Sequence, residues 1–333
     1  MDESHFLREI NAIPWEQPAG NDDYRNALLV FADWLEEQGD PRAELIRLRE
    51  GLLNNPTPEQ RQLWEPRMQA LINSGVQPVV ATWENSIGTK FCWCPPGTFV
   101  MGSPWLEKGR ISNEDQVEVT LSRGFWCGKY QVTQREWELV IGTKPWLGLN
   151  AMKVGSNYPV TYVGWGNARE FGQKQSEQER NLGRLPDGWA YGLPTEAQWE
   201  YACRAGTTSA TAFGDQLSSK QANFNGFEPY NGAKYGPYLE EMCETGLYPS
   251  NAWGLHDMHG NVFEWCLDRY GYNLPGGTDP VRAVPYQYEV SRGGCWHSSG
   301  QECRSANRDT HPSRITIGFR VALVPAGQQR NIS

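Results

Sequence analysis

Apolar residues in the first part of the chain recur with the spacing of amphipathic helices. One face of residues 27–38 carries four of them: Leu28, Phe31, Ala32 and Leu35. Gly39 suits the left-handed position that ends such a helix, and residues 42–49 predict a second helix directly after it. A third helix is predicted over residues 60–73, where apolar side chains lie roughly on one side. The pattern indicates a helical module over residues 1–82.

From about Trp83 the pattern changes to short strands, tight turns and isolated helices. Residues 90–104 predict a strand, a Pro-Gly turn and a second strand, and the alternating residues 117–121 predict another strand. Residues 205–260 are loop-rich, and the backbone polar groups of so irregular a segment need side-chain networks or metal ions as partners. We therefore expect an α+β domain that is low in regular secondary structure.

Three helix starts in this domain are predicted from side chains that can cap a helix. Thr133 with Glu136, and Thr195 with Gln198, have the spacing of a capping box. Asn167 is predicted to cap a third helix. The 15 Trp and 35 Gly residues favour irregular backbone packed around large flat side chains, in agreement with short elements joined by turns.

Charge and hydropathy narrow the classes of function. The net charge is −9 and the chain has no basic stretch without interspersed acids, so we expect no nucleic-acid partner. No apolar run approaches the roughly 18 residues of a membrane span, and the first residues lack the pattern of a signal peptide. We therefore expect a cytoplasmic protein without a membrane partner, in which the eight cysteines are mostly reduced.

Six segments of the large domain stand in an order that is typical of one family. They are Pro96-Gly-Thr-Phe-Val-Met-Gly-Ser-Pro104, Lys129-Tyr-Gln-Val-Thr-Gln134, Leu193-Pro-Thr-Glu-Ala-Gln-Trp-Glu-Tyr-Ala202, Gly254-Leu-His-Asp-Met-His-Gly-Asn-Val-Phe-Glu-Trp265, Arg292-Gly-Gly294 and Gly318-Phe-Arg320. Together they resemble the formylglycine-generating-enzyme family, also called the sulfatase-modifying-factor family. The resemblance implies a variant of the C-type lectin fold over residues 83–326, followed by a tail of residues 327–333.

The same resemblance implies where a catalytic centre would stand. The family's oxidases convert a substrate cysteine to formylglycine with oxygen and a copper ion, which two closely spaced cysteines hold shortly after the Gly-Gly motif. Here Ser298 falls at the place of the first of them, and Cys295 and Cys303 are eight positions apart, a wider spacing than the family's. We therefore predict no intact catalytic site. The alternative is a metal-dependent oxidase acting on a peptide cysteine, in which Cys295 and Cys303, with His297, hold copper or zinc at an altered site.

Structural calcium is a further implication of the resemblance. By position, the ligands of a first site would be the Asp257 and Glu264 carboxylates with the Gly260 and Val262 carbonyls, a set of hard oxygens that suits Ca²⁺. The alternative is a turn that side-chain hydrogen bonds of Asp257 and Asn261 stabilise alone.

A second calcium site is also implied. It would use the Asn223 side chain with the Phe224 and Leu239 carbonyls, but Pro237 falls where the family's acid is expected. Glu240 or Asn225 is the candidate substitute for that acid.

Two binding surfaces are predicted. The C-terminal loop, with Trp296, Ser298, Ser299 and Gln301, would take a peptide or protein ligand. Residues 32–44 resemble a short bacterial module known as the repeat-companion domain, so the helical module either packs on the large domain or docks a partner protein. The function expected from all of this is a calcium-stabilised, non-catalytic binding protein.

Overall fold

The computed structural model describes residues 2–13, 20–149, 153–283, 288–310 and 314–327, so most of the predicted tail lies outside the described residues. The helices are α1 Glu3–Ala12, α2 Gly20–Glu37, α3 Arg42–Leu53, α4 Pro58–Asn73, α5 Gln134–Ile141, α6 Trp165–Asn181 and α7 Glu196–Arg204. The strands are β1 Thr82–Glu84, β2 Lys90–Cys94, β3 Gly97–Met101, β4 Val117–Leu121, β5 Phe125–Gly128, β6 Trp189–Gly192, β7 Phe263–Arg269, β8 Gly277–Thr278, β9 Glu289–Arg292, β10 Ile317–Gly318 and β11 Ala322–Pro325.

The predicted α+β class is confirmed. The strands form a five-stranded sheet in the order β1-β2-β5-β11-β6 and two three-stranded sheets, β10-β7-β9 and β3-β4-β8. The strand, turn and strand predicted over residues 90–104 are present, but β2 and β3 lie in different sheets. The Pro-Gly turn therefore carries the chain from one sheet to another and does not close a hairpin. None of the helices in the described ranges is long and apolar enough to cross a membrane.

All three helices predicted in the N-terminal module form as α2, α3 and α4, and Gly39 has the left-handed φ of +68°. Sequence periodicity did not predict α1, which is short and buries only Phe6 and Ile10. Its start is fixed by Asp2, whose carboxylate accepts the backbone N–H of His5 at 3.0 Å.

The helical module packs on the large domain. Phe6 and Phe31 belong to the same apolar cluster as Trp93 and Trp126 of the five-stranded sheet. Through α4 the module makes a second contact, in which the Glu65 carboxylate accepts the backbone N–H groups of Thr208 and Ser209 at 2.8 and 2.9 Å. The docking of a partner protein by this module stays a prediction.

Two of the three predicted helix starts are confirmed. Thr133 and Thr195 are N-caps, and each forms the expected capping box. The prediction for Asn167 was wrong, because α6 begins at Trp165 and its N-cap is Gly164, three residues before Asn167. Gly164 has no side chain to cap with, and Asn167 instead accepts the Gly164 N–H at 3.2 Å from the third helical position.

Buried ion pairs join the elements that flank the loop-rich part of the domain, and Arg320 also donates to the His256 carbonyl within it at 2.9 Å. Residues 205–262, which are all described, contain no helix or named strand. Around this segment the guanidinium groups of four fully buried or nearly buried arginines pair with glutamates: Arg292 with Glu196 and Glu200, Arg304 with Glu114, Arg308 with Glu196, and Arg320 with Glu264. Side-chain networks of the kind that the sequence predicted are therefore present.

Candidate functional site

A turn at Gly293 and Gly294 directly precedes Cys295 and contacts Cys303, the two cysteines of the predicted altered site. Both glycines follow β9 and have left-handed φ values of +94° and +73°. A Cβ atom at Gly294 would lie 2.6 Å from the Sγ of Cys303, so the sulfur of Cys303 rests against the backbone of this turn. Cys295 belongs to one apolar cluster of the core and Cys303 to the other.

The Cys295 thiol is buried but has two polar neighbours. Its Sγ lies 2.8 Å from Nδ1 of His297 and 3.5 Å from Oγ of Ser298. Burial nevertheless raises the pKa of Cys295 to about 11. The thiol is therefore protonated at neutral pH, although the imidazole beside it is exposed to solvent.

The three predicted ligands of the altered site, Cys295, His297 and Cys303, do not form a metal-binding group. Both thiols are buried, and burial raises the pKa of Cys295 to about 11 and that of Cys303 well above its usual value. The structure brings Cys295 and His297 together, whereas the Cys303 sulfur lies against Gly294. Across the described ranges, no group of three or more His, Cys, Asp or Glu side chains could hold a metal ion.

The predicted ligand-binding residues differ in exposure. Gln301 is exposed, whereas Trp296 and Ser299 are partly buried. The Trp296 ring contacts that of His297, with centroids 5.0 Å apart. Ser298 is buried and its Oγ accepts the Cys295 N–H at 3.2 Å, so this side chain stabilises the conformation of the loop from its inner side.

Large apolar side chains that the sequence analysis did not single out flank this loop. Four of them are strongly exposed: Trp105 (81%), Leu106 (89%), Phe227 (64%) and Tyr235 (79%). The Gly300 N–H donates to the Glu228 carbonyl at 2.8 Å, which places the turn of Phe227 beside the loop.

The segment of Trp105 and Leu106 also lies beside the loop, and the Tyr230 hydroxyl donates to the Lys108 carbonyl of this segment at 2.8 Å. The Gln301 side chain lies so close to Gly109 that a Cβ there would approach it to 2.3 Å. The backbone N–H of Gly236 donates to the Gly226 carbonyl at 3.0 Å, which brings Tyr235 next to the turn of Phe227. We call the surface of Trp105, Leu106, Phe227, Tyr235, Trp296 and Gln301 the C-terminal loop surface.

Four oxygens converge at the first predicted calcium site, and an amide nitrogen lies among them. Nε2 of the buried Gln131 is 3.3 Å from the Asp257 and Gly260 carbonyls, 3.0 Å from that of Val262 and 3.1 Å from Oε1 of Glu264. The structure therefore brings the predicted Gly260, Val262 and Glu264 oxygens together, and sequence reasoning missed Gln131.

Asp257 takes part through its carbonyl. Its carboxylate accepts the Gly246 N–H at 2.7 Å, and burial raises its pKa to about 6. Because the Gln131 nitrogen fills the centre of the oxygens, the residues as arranged do not fit a calcium ion there.

The second predicted calcium site has one unsatisfied oxygen. Asn223 donates through Nδ2 to the Glu241 carbonyl at 3.0 Å and to Oδ1 of Asn261 at 3.2 Å, while no described residue donates to its buried Oδ1. Asn225, the candidate substitute for the missing acid, is already paired with Glu228 at 2.9 Å. Calcium at this site stays a prediction that rests on the Asn223 oxygen.

Comparison with known proteins defines the class to which this fold and site belong. Residues 76–324 match the family model of the sulfatase-modifying factor enzyme 1-like domain. The chain belongs to this family, and its fold is the family's C-type-lectin-like α+β fold. The resemblance inferred from the six sequence segments is therefore confirmed.

Three individual proteins illustrate the range of similarity. The serine/threonine-protein kinase pkn1 of Chlamydia caviae is 37% identical over 144 residues, which are 39% of this chain and 20% of the kinase. The chaperone protein LppX of Paenibacillus barcinonensis is 31% identical over 225 residues, 56% of this chain and 74% of LppX. The structure of PvdO from Pseudomonas aeruginosa superposes with a TM-score of 0.60 at 25% identity, covering 73% of this chain and 97% of PvdO.

Proposed function

We propose that this chain is a non-catalytic member of the sulfatase-modifying-factor family that binds a peptide or protein segment on its C-terminal loop surface. The observation that carries the proposal is that strongly exposed aromatic side chains, Trp105, Phe227 and Tyr235, lie beside a loop in which Cys295, His297 and Cys303, all described, form no metal-binding group. A thiol oxidase of this family would need those cysteines as paired thiolates.

The composition of the surface fits a peptide better than a small molecule. Tryptophan, tyrosine and phenylalanine are the side chains most enriched where proteins bind each other. Large apolar side chains that stand together on a surface, rather than singly, mark such sites. Gln301 and the exposed His297 add hydrogen-bonding groups at the rim. A relative that carries the name chaperone protein, matched over 74% of its length, supports a function in binding other polypeptides.

A selection from a random peptide library on the immobilised whole chain tests this proposal. We expect the chain to enrich a family of peptides, and the double variant Trp105→Ser/Phe227→Ser to bind them at least about tenfold more weakly, the effect of losing one or two aromatic contacts. Leu63→Ser is the matched control, because Leu63 is 71% exposed on α4, away from the loop, and should bind as the parent does. Failure to enrich any peptide, or equal binding by the double variant, would overturn the proposal.

One observation favours the second candidate, a metal-dependent oxidase acting on a peptide cysteine. The 2.8 Å contact of Cys295 with His297 is the type of pairing that can activate a thiol. In this alternative the exposed imidazole would take the thiol proton when the loop opens. Oxygen uptake with copper and a cysteine-containing peptide separates the two candidates, because only the oxidase would consume oxygen.

A further inference from the structure

We propose that the Gln131 carboxamide takes the place of a structural cation in this chain, so that the loop before β7 is stabilised without a bound metal ion. The loop runs from Asp257 to Val262, with Glu264 following in β7, and turns sharply at two non-glycine residues with left-handed φ values, Asp257 at +58° and Asn261 at +65°. Its inward-facing carbonyls need a common partner, which calcium provides in many loops of this kind. Here the partner is the amide nitrogen of Gln131, at 3.0–3.3 Å from four oxygens.

The orientation of the Gln131 amide follows from its neighbours. Asn261 accepts the Cys243 N–H through Oδ1 at 2.9 Å and donates through Nδ2 to the Cys243 carbonyl at 3.2 Å. Because a backbone N–H can only donate and a carbonyl can only accept, both contacts fix which end of the Asn261 amide is nitrogen. Nδ2 of Asn261 then donates to the other polar atom of Gln131 at 3.0 Å, so that atom is the oxygen. The nitrogen of Gln131 must therefore face the four oxygens.

Charge at this position is balanced without a metal ion. The one carboxylate among the four oxygens belongs to Glu264, which Arg320 contacts through two nitrogens at 2.7 and 2.8 Å. Trp199 donates to the same carboxylate at 2.7 Å. A neutral amide is therefore sufficient, whereas a divalent cation would stand close to the buried guanidinium of Arg320.

The arrangement also predicts how a cation could be introduced. An amide nitrogen has two hydrogens, so it cannot give each of the four oxygens a full hydrogen bond. The change Gln131→Glu replaces that donor with an acceptor of nearly the same shape and keeps the oxygen that accepts from Asn261. The oxygens of the introduced carboxylate and the four surrounding oxygens would then repel one another unless a Ca²⁺ ion bound among them.

Thermal unfolding of the whole chain in excess Ca²⁺ and in excess EDTA tests the proposal. We expect the parent chain to unfold at the same temperature in both, and Gln131→Glu to gain roughly 5 °C or more in Ca²⁺. Gln134→Glu is the matched control. Gln134 is also buried and also bonds backbone groups, the Lys153 carbonyl at 2.8 Å and the Gly155 N–H at 3.1 Å, but faces no group of oxygens. It should be destabilised equally in Ca²⁺ and in EDTA.

Thermal unfolding of the parent chain tests the proposal even if Gln131→Glu does not fold. A parent that loses several degrees in EDTA would overturn the proposal, provided that the loss persists in Asn223→Ala, which removes the second predicted calcium site. A loss that disappears in Asn223→Ala belongs to that second site and leaves the Gln131 position free of calcium, as proposed.

Terbium gives an independent readout, because Trp199 lies against Glu264 and would sensitise an ion bound there. Sensitised emission is expected from Gln131→Glu, and such emission from the parent with Asn223→Ala would contradict the proposal.

Discussion

Arg320 and Glu264 form a bidentate ion pair with both side chains buried, with Nε–Oε2 and Nη2–Oε1 distances of 2.7 and 2.8 Å. The same guanidinium donates to the carbonyls of Gly128 and His256 at 2.7 and 2.9 Å. One arginine therefore joins the end of β5, the loop before β7 and β7 itself. The loops around the candidate site depend on this ion pair because few β-sheet hydrogen bonds hold their backbone.

Breaking this pair should be costly. The variant Glu264→Gln leaves the Arg320 guanidinium buried without a counter-charge, and we expect the free energy of unfolding to fall by about 3–5 kcal/mol. Urea titration followed by tryptophan fluorescence measures it. Glu44→Gln is the control, because its ion pair with Arg67 is half-exposed and should be worth less than about 1 kcal/mol. Similar losses in the two variants would contradict the structural role given to Arg320.

The cysteines should react slowly in the folded chain. All eight are free and buried, and burial raises the pKa of Cys295 to about 11, so little thiolate exists at neutral pH. We expect alkylation of native protein by iodoacetamide to modify Cys295 no faster than Cys266, with all eight modified after unfolding. Peptide mass spectrometry resolves the sites. Rapid, selective modification of Cys295 would favour the oxidase alternative instead.

Asp268 should make stability depend on pH in the acidic to neutral range. Burial raises its pKa to about 7, although its two oxygens accept the backbone N–H groups of Glu196 and Arg282 at 2.7 and 2.8 Å. The folded chain therefore holds a proton that the unfolded chain releases near pH 4. This contribution is present below about pH 4 and is lost as the pH rises to about 7, with a total of up to about 4 kcal/mol.

The variant Asp268→Asn isolates that contribution because an amide does not titrate. The parent should be more stable than the variant by an amount that shrinks between about pH 4 and pH 7, as measured by urea unfolding at several pH values. A difference between the two proteins that stays constant over this range would show that Asp268 does not titrate as the structure predicts.

The capping box of α7 gives a more local prediction. Thr195 accepts the Gln198 N–H at 3.1 Å and the Gln198 side chain accepts the Thr195 N–H at 2.9 Å. Removing only the methyl group in Thr195→Ser should be nearly neutral, since serine keeps the hydroxyl acceptor, whereas Thr195→Ala removes it and should cost about 1 kcal/mol. Thermal unfolding compares the two. Equal stability of the alanine and serine variants would mean that the cap contributes nothing.

That capping box also shows which parts of the fold the sequence could predict. Its two members lie three residues apart, so the sequence contains the whole interaction, and the same holds for Thr133 with Glu136. Asn167 was misassigned because the competing cap, Gly164, has no side chain to reveal it. The strands β2 and β3 were predicted from local alternation, but their assignment to separate sheets depends on partners that are distant in the chain.

The candidate site depended still more on distant contacts. Gln131 lies 126 to 133 residues from the four oxygens that surround its amide nitrogen, and nothing in its own neighbourhood distinguishes it from another polar residue before a helix. Phe227 and Trp105 follow no period, so their exposure beside the loop appears only in the folded chain. By contrast, the wide spacing of Cys295 and Cys303 is visible in the sequence alone.

Oxygen uptake by the purified whole chain, supplied with copper and a cysteine-containing peptide, tests the central claim of a non-catalytic binding protein most directly. We expect no oxygen uptake above that of Cys295→Ser, and mass spectrometry should recover the peptide with its cysteine unchanged. Sustained uptake together with conversion of the peptide cysteine to formylglycine, both abolished in Cys295→Ser, would contradict it.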